Sequence, residues 1–181
     1  MKQFNKIVAG LLVSAAISAP AFGIGFDQRV GEAYAVADLG SISYGGLGSA
    51  TAISVGAGYV VHPALAVEVD YLSGGSLSYG GFFGTPFSIK LDALQFNGVG
   101  SYSVNNEFSV YAKAGLAMNS QKWTLPFGFN STYSGSSNST DLTFGIGAKY
   151  KINKNLALRA QYQETGISSV NVISIGAMYS F

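Results

Sequence analysis

The chain has 181 residues, of which 48% are apolar and 13% aromatic but only 10% charged, against about 25% charged in an ordinary soluble protein. That balance excludes a disordered chain, and 10 basic against 9 acidic residues leave no positive field for nucleic acid. The absence of cysteine removes disulfides, thiolate metal sites, iron–sulfur clusters and thiol nucleophiles together, and 24 glycines without a long apolar run after the N-terminus point to a membrane β-barrel.

Lys2 and Lys6 precede an apolar stretch from Ile7 to Ile17, and small residues follow from Ser18 to Gly23. This is the pattern of a secretory signal peptide over residues 1–23, cleaved after Gly23 or, alternatively, after Ala21. The apolar stretch is too short to span a bilayer as a helix. Residues 24–181 then form one outer-membrane barrel domain, in which eight basic residues face nine acidic ones.

Beyond the signal the chain alternates with period two. Leu142, Phe144, Ile146, Ala148, Tyr150 and Ile152 alternate with Thr143, Gly145, Gly147, Lys149 and Lys151, and the same pattern recurs in 156–163 and 173–181. One face is apolar and the other small or polar, as in a strand between lipid and a narrow lumen. The pattern predicts strands at 33–42, 50–61, 65–73, 90–102, 108–118, 141–152, 156–165 and 171–181. Three segments repeat one motif: 59–67 (YVVHPALAV), 102–110 (YSVNNEFSV) and 150–158 (YKINKNLAL). Their centres, His62-Pro63-Ala64, Asn105-Asn106-Glu107 and Asn153-Lys154-Asn155, read as tight hairpin turns. Longer Gly/Ser/Asn-rich loops are expected at 43–49, 74–88 and 119–140, with a brief one at 166–169. Three short turns and four loops give an all-β fold: an eight-stranded antiparallel up-and-down transmembrane β-barrel. Its short turns face the periplasm and its loops face outside.

Tyr59, Tyr102, Tyr150 and Tyr179, with Phe181, fall at the turn end of the apolar faces and would form an aromatic girdle at the headgroups. Strand parity turns Asp38, Glu68, Asp70, Lys113, Lys149 and Arg159 inward. All six lie about three to five residues above the turn ends, or ~10–17 Å at ~3.3 Å per residue. They read as one layer of three acids against three bases, serving either as an ion path or as a network filling the lumen. Eight strands leave room for side chains and little else, which favours the network. Loop aromatics around Tyr79 and Phe82 and from Trp123 to Phe129 suit either headgroup anchoring or surface contact.

Other motifs fail on their mechanics. The Gly-x-Gly pairs at 56–58, 98–100 and 145–147 lead into no helix, so small lumen-facing or close-packed residues explain them better than nucleotide loops. The lone histidine, His62, sits in a turn on the side away from the outer leaflet, so no catalytic residues, cofactor or metal site are expected.

The segments 56–59 (GAGY), 63–71 (PALAVEVDY), 107–115 (EFSVYAKAG), 145–150 (GIGAKY) and 155–162 (NLALRAQY) resemble the transmembrane domain of OmpA-type proteins. The wider group is the small outer-membrane β-barrels of porin-like and opacity type. The C-terminal strand with Ile173, Ile175, Tyr179 and Phe181 is similar to that family's assembly signal, which implies recognition by the barrel assembly machinery. The resemblance implies an internal salt-bridge cluster, with Glu68 and Arg159 on matching positions. Asp38 and Lys149 stand where the family pattern has a base and an acid, so the signs look exchanged. The periplasmic peptidoglycan-binding domain of full-length OmpA proteins is expected to be absent. The function expected is a structural, envelope or surface-interaction barrel with a plugged lumen; the alternatives are a narrow porin-like channel and a lipid-modifying outer-membrane enzyme. Expected partners are outer-membrane lipid and lipopolysaccharide and the assembly machinery, with no nucleic acid. The external ligand is left open.

Overall fold

Alternation at every second residue produces strands, and the computed structural model describes them through residues 28–44, 48–80, 86–127, 131–166 and 170–181. The elements are β1 (Ala33–Tyr44), β2 (Ser49–His62), β3 (Leu65–Gly74), β4 (Leu77–Gly80), β5 (Pro86–Ser103), β6 (Phe108–Phe127), β7 (Ser131–Lys151), β8 (Leu156–Thr165) and β9 (Val170–Ser180). Every pairing is antiparallel, each barrel strand pairs with its sequence neighbours, β1 pairs with β9, and β3 pairs with β5 past the short β4. Eight strands therefore close into a ring, and β4 is an added arm that pairs only with the outer end of β5. The signal-peptide reading of 1–23 and the loop tips at 45–47, 81–85, 128–130 and 167–169 lie outside the described residues.

The outer wall is apolar and exposed: Ile175 is 69% exposed, and Leu39, Ile53, Val67, Phe96, Leu116, Ile146 and Leu158 share that face. Along β5 the band runs from Tyr102 to Leu94 before Asp92, about nine residues, close to the roughly 9–11 that a tilted strand needs to cross hydrocarbon. Tyr59, Tyr102, Tyr150, Tyr179 and Phe181 all lie on the outer wall at the turn end. Phe181 is tied there by its amide on the Ala33 carbonyl (3.0 Å), and its ring packs edge-on against Tyr179 at 5.3 Å between centroids.

The three short turns fall where the repeat predicts them. Asn105 Oδ1 accepts from the Glu107 and Phe108 amides (2.9 and 2.7 Å), and Asn153 Oδ1 accepts from the Asn155 and Leu156 amides (2.9 Å each). The asparagine side chain in each case substitutes for a backbone turn bond. His62 closes the third turn differently, its Nδ1 accepting from the Ala64 amide at 3.2 Å.

Two loop expectations need correction. The stretch 74–88 is not one long loop, because β4 within it pairs with Pro86–Ile89 of β5. Residues 119–140 do not form a long loop; β6 and β7 continue in register from Asn119↔Ser139 to Phe127↔Ser131. Nine further cross-strand pairs carry this hairpin beyond Met118 and Leu142, ~30 Å of strand at ~3.4 Å per residue. The Gly pair at 98 and 100 also differs from its neighbours, since it faces the outer wall rather than the lumen.

Small residues on the lumen face have a specific use. Gly176 stands across from Asp38, Gly56 from Asp70, Gly58 from Tyr34, Gly147 from Tyr111 and Gly115 from Asn97. A Cβ at each of these glycines would collide with the large side chain lying over it. Gly176→Ala should therefore destabilise the barrel by about 1–3 kcal/mol, as overpacking does. Gly98→Ala should be tolerated, because its Cβ would find its nearest neighbour, the Ala114 carbonyl oxygen, at 3.8 Å. Urea titration read by the gel-mobility difference between folded and unfolded barrel checks both. Equal loss at the two sites would contradict the cradle assignment.

Candidate functional site

The lumen is where polar chemistry is concentrated in an otherwise apolar molecule. Asp38 on β1, Glu68 and Asp70 on β3, Lys113 on β6 and Arg159 on β8 all point inward and are at most 4% exposed. Strand alternation puts them there, and the facing glycines on β2, β7 and β9 let the side chains lie flat against the wall.

Arg159 is the hub. Its Nε donates to Asp38 Oδ1 at 2.7 Å and its Nη2 bonds Asp38 Oδ2, a forked pair across two strands. Its Nη1 donates to Glu68 Oε2 and Oε1 at 3.2 and 3.3 Å. Glu68 also accepts from the Tyr34 hydroxyl at 3.0 Å and lies 3.7 Å from Lys113 Nζ, which is 3.4 Å from Asp70 Oδ2. Asn97 Nδ2 donates to Asp70 Oδ2 at 3.0 Å. Three carboxylates thus meet two cations, with further neutral donors from Tyr34 and Asn97. Breaking such a buried network is costly because each partner left behind is an uncompensated charge.

The expected layer of six is corrected at Lys149. Its backbone pairs with Arg159 across β7 and β8, and two like charges directly opposite repel. Its side chain donates to Ser101 Oγ at 3.1 Å and lies 5.6 Å from the Tyr111 ring centre. The balance in the cluster is three acids against two bases.

Sequence parity did not single out the neutral residues around the charges. Above the cluster Gln163 Nε2 donates to Gln95 Oε1 at 3.0 Å and to Thr165 Oγ1 at 3.3 Å, and the Tyr111 hydroxyl donates to Gln161 Oε1 at 3.1 Å. Gln161 and Gln163 alternate with Ala160 and Tyr162, so the signal was present as amides on an inward face. Two apolar clusters were also missed. Tyr34, Val36, Val60, Ala66, Val99 and Tyr111 pack together toward the turn end, with Met178 against them. Ile42, Ala52, Leu72, Leu91, Ala93 and Val172 pack together toward the loop end. Between the polar storey and the loop-end cluster lies a cavity of about 10 Å³ bordered by Asp38, Gln95, Gln163 and Ser174, the room of a single water.

Outside the membrane band, β4, β5, β6 and β7 make a four-stranded sheet. Strand β7 pairs with β8 only from Thr143↔Thr165 inward. From Ser131 to Asp141 its far edge has no strand partner among the described residues. Asn119 Nδ2 and Ser139 Oγ both donate to Asp141 Oδ2 (2.7 and 2.8 Å), pinning the base of the hairpin where it leaves the barrel.

A family model described as outer membrane protein β-barrel domain matches residues 9–181. No curated protein matches the chain. Among solved structures, Ail, the attachment invasion locus protein of Yersinia pestis, is 18% identical, with 84% of this chain and 100% of that chain covered and a TM-score of 0.56. Neisserial surface protein A is 22% identical, over 83% of this chain and 96% of that chain, with a TM-score of 0.58. The outer membrane protein OprG of Pseudomonas aeruginosa is 14% identical, over 85% and 97% of the two chains, with a TM-score of 0.59. At these identities the likeness is one of fold.

The shape of the network predicts how it fails. Arg159→Met strands Asp38 and Glu68 together and should cost about 3–5 kcal/mol, the usual loss when one member of a buried ion group is removed. Adding Asp38→Asn and Glu68→Gln should recover part of that loss. The exchange Glu68→Arg with Arg159→Glu should not, because the carboxylate introduced at position 159 would face Asp38. Urea midpoints in lipid vesicles provide the comparison; full rescue by the exchange would show that Asp38 lies outside the network.

Proposed function

The chain belongs to the outer-membrane protein β-barrel family, and from that premise we propose that it is a non-conducting barrel whose work is done by the sheet it carries above the membrane. The outer membrane is then its location, with lipid and lipopolysaccharide against the apolar wall, and its C-terminal strand is what the assembly machinery recognises.

One observation carries the reading: β6 and β7 stay paired for nine residues beyond the lipid band, and the β7 edge from Ser131 to Asp141 is open among the described residues. Open edges offer unpaired N–H and C=O groups to an incoming strand, and proteins that do not use them guard them with lysine, proline or a bulge. Residues 131–140 carry neither charge nor proline (STYSGSSNST). The names of the similar barrels, an attachment invasion locus protein and a surface protein, agree with a role in surface interaction. The apolar clusters toward both ends of the lumen favour this reading over a narrow channel. His62, committed to its own turn, supports a non-enzymatic role.

Three measurements test the proposal. Purified protein in planar bilayers should give no stable conductance steps. A cysteine at Ser136 should react with an impermeant maleimide on intact cells, and one at Asn106 should not. Replacing 120–138 by a short turn should leave a folded barrel while lowering the adherence of expressing cells to immobilised matrix proteins and glycans. Steady native conductance, or adherence that survives loss of the hairpin, would overturn it.

A further inference from the structure

We propose that the barrel encloses a binding site for one water molecule between Gln95 of β5 and Ser174 of β9, and that this water joins the charged cluster to the amides above it. Gln95 is 1% exposed and Ser174 is 4% exposed. Both sit at mid-strand with described partners on either side: Gln95 pairs with Asp70 and Ala117, and Ser174 with Gly40 and Gln161. Among the described residues, neither Gln95 Nε2 nor Ser174 Oγ has a hydrogen-bond partner. The orientation of the Gln95 amide is set from its other side, where its Oε1 accepts from Gln163 Nε2 at 3.0 Å.

Both residues line the cavity of about 10 Å³ that Asp38 also borders. A buried water needs roughly 10–15 Å³ and two to four polar groups to receive it. Three such groups are in place here, and their requirements differ. The Gln95 N–H needs an acceptor, and the Ser174 hydroxyl serves as either donor or acceptor. Arg159 takes one bond on each Asp38 oxygen, which leaves that carboxylate able to accept another. A metal cation would be opposed by the amide N–H, and an anion would be opposed by Asp38. A molecule of this size that both accepts and donates is water. Ordering one water costs less than leaving two buried polar groups unpaired.

The site lies where the side chains' own hydrogen bonds stop. Tyr34, Glu68, Arg159 and Asp38 form one chain, and Gln95, Gln163 and Thr165 form a second. Among the described residues no side-chain hydrogen bond joins the two. A water between Asp38 and Gln95 makes them continuous, so one polar network ties β1, β3, β5, β8 and β9 together across the lumen. At low dielectric the members of such a network strengthen one another.

Nuclear magnetic resonance on the full protein in phosphatidylcholine nanodiscs tests the site, read as cross-relaxation between water and the Gln95 side-chain amide. A long-lived water gives laboratory-frame and rotating-frame Overhauser signals of opposite sign, and that is the result expected. Ala52→Val fills the cavity from its apolar wall and should abolish the signal. The Ser174 hydroxyl stays in place in that variant, so the loss identifies the water as the source. Ala66→Val, equally buried but in the turn-end cluster, should keep the signal. A double-mutant cycle gives a second reading that does not depend on the folding of Ala52→Val. Because Gln95→Leu and Ser174→Ala share the water, together they should cost less than the sum of their separate losses, by at least about twofold in the unfolding constant. Exchanging sodium for choline at constant ionic strength should leave the urea midpoint unchanged. The proposal is overturned by the absence of a long-lived water at Gln95, by a signal that survives Ala52→Val, by additive losses in the cycle, or by a midpoint that falls when sodium is withdrawn. Neither conductance nor adherence enters these measurements, so their failure leaves the surface reading untouched.

Discussion

Everything in this molecule follows from the requirement that no backbone amide or carbonyl be left unpaired in hydrocarbon, where each costs several kcal/mol (roughly). A sheet meets that requirement only by closing, which here is done by β1 against β9 and by β3 against β5. Closure with eight strands fixes the lumen at a width that side chains can fill. The inward face is then a core and must obey the packing rules of one. The outward face, meeting only lipid tails, has to be apolar and little more.

The lumen resolves the problem in storeys. Apolar clusters lie toward both ends, and polar and charged groups occupy the middle. Charges in the middle are sustainable because Arg159 satisfies two carboxylates at once and Glu68 receives two cations and a phenol. The glycines complete the arrangement. A narrow barrel with a large side chain at every inward position would be overfilled. Placing glycine across the strand pair from Asp38, Asp70, Tyr34, Tyr111 and Asn97 gives each the space of two residues. A high glycine content and a buried ion network are thus one adaptation.

Much of this was legible in the sequence, and the divisions are physical. Period-two alternation reports which side of a strand meets lipid, so strand existence, parity and the three repeated turns could be read from Tyr59, Tyr102, Tyr150 and their neighbours. Alternation is silent once a strand leaves the membrane. From Asn119 to Phe127 and from Ser131 to Ser139 both faces are mostly polar or small, and that stretch reads as loop although it is paired throughout. Parity likewise places Lys149 inward but cannot say which way a long side chain turns. That was decided by Arg159, directly opposite it. Tyr34 and Tyr111 were overlooked for the converse reason: tyrosine near a strand end suggests the headgroup girdle, whereas these two face inward and hydrogen-bond to Glu68 and Gln161.

The two ends of the barrel are built to opposite specifications by the same closed ring. At the turn end every connection is short, the turns bond to one another, and four cations converge on one recess. At the loop end the ring pairs β7 with β8 only as far as Thr143, so the hairpin beyond must leave the cylinder with one edge unpaired among the described residues. The carboxylate of Asp141 holds β6 to β7 through Asn119 at the point of departure. One closed ring thus carries a buried ion network inside and, above the lipid band, a β6–β7 hairpin whose outer edge is unpaired among the described residues.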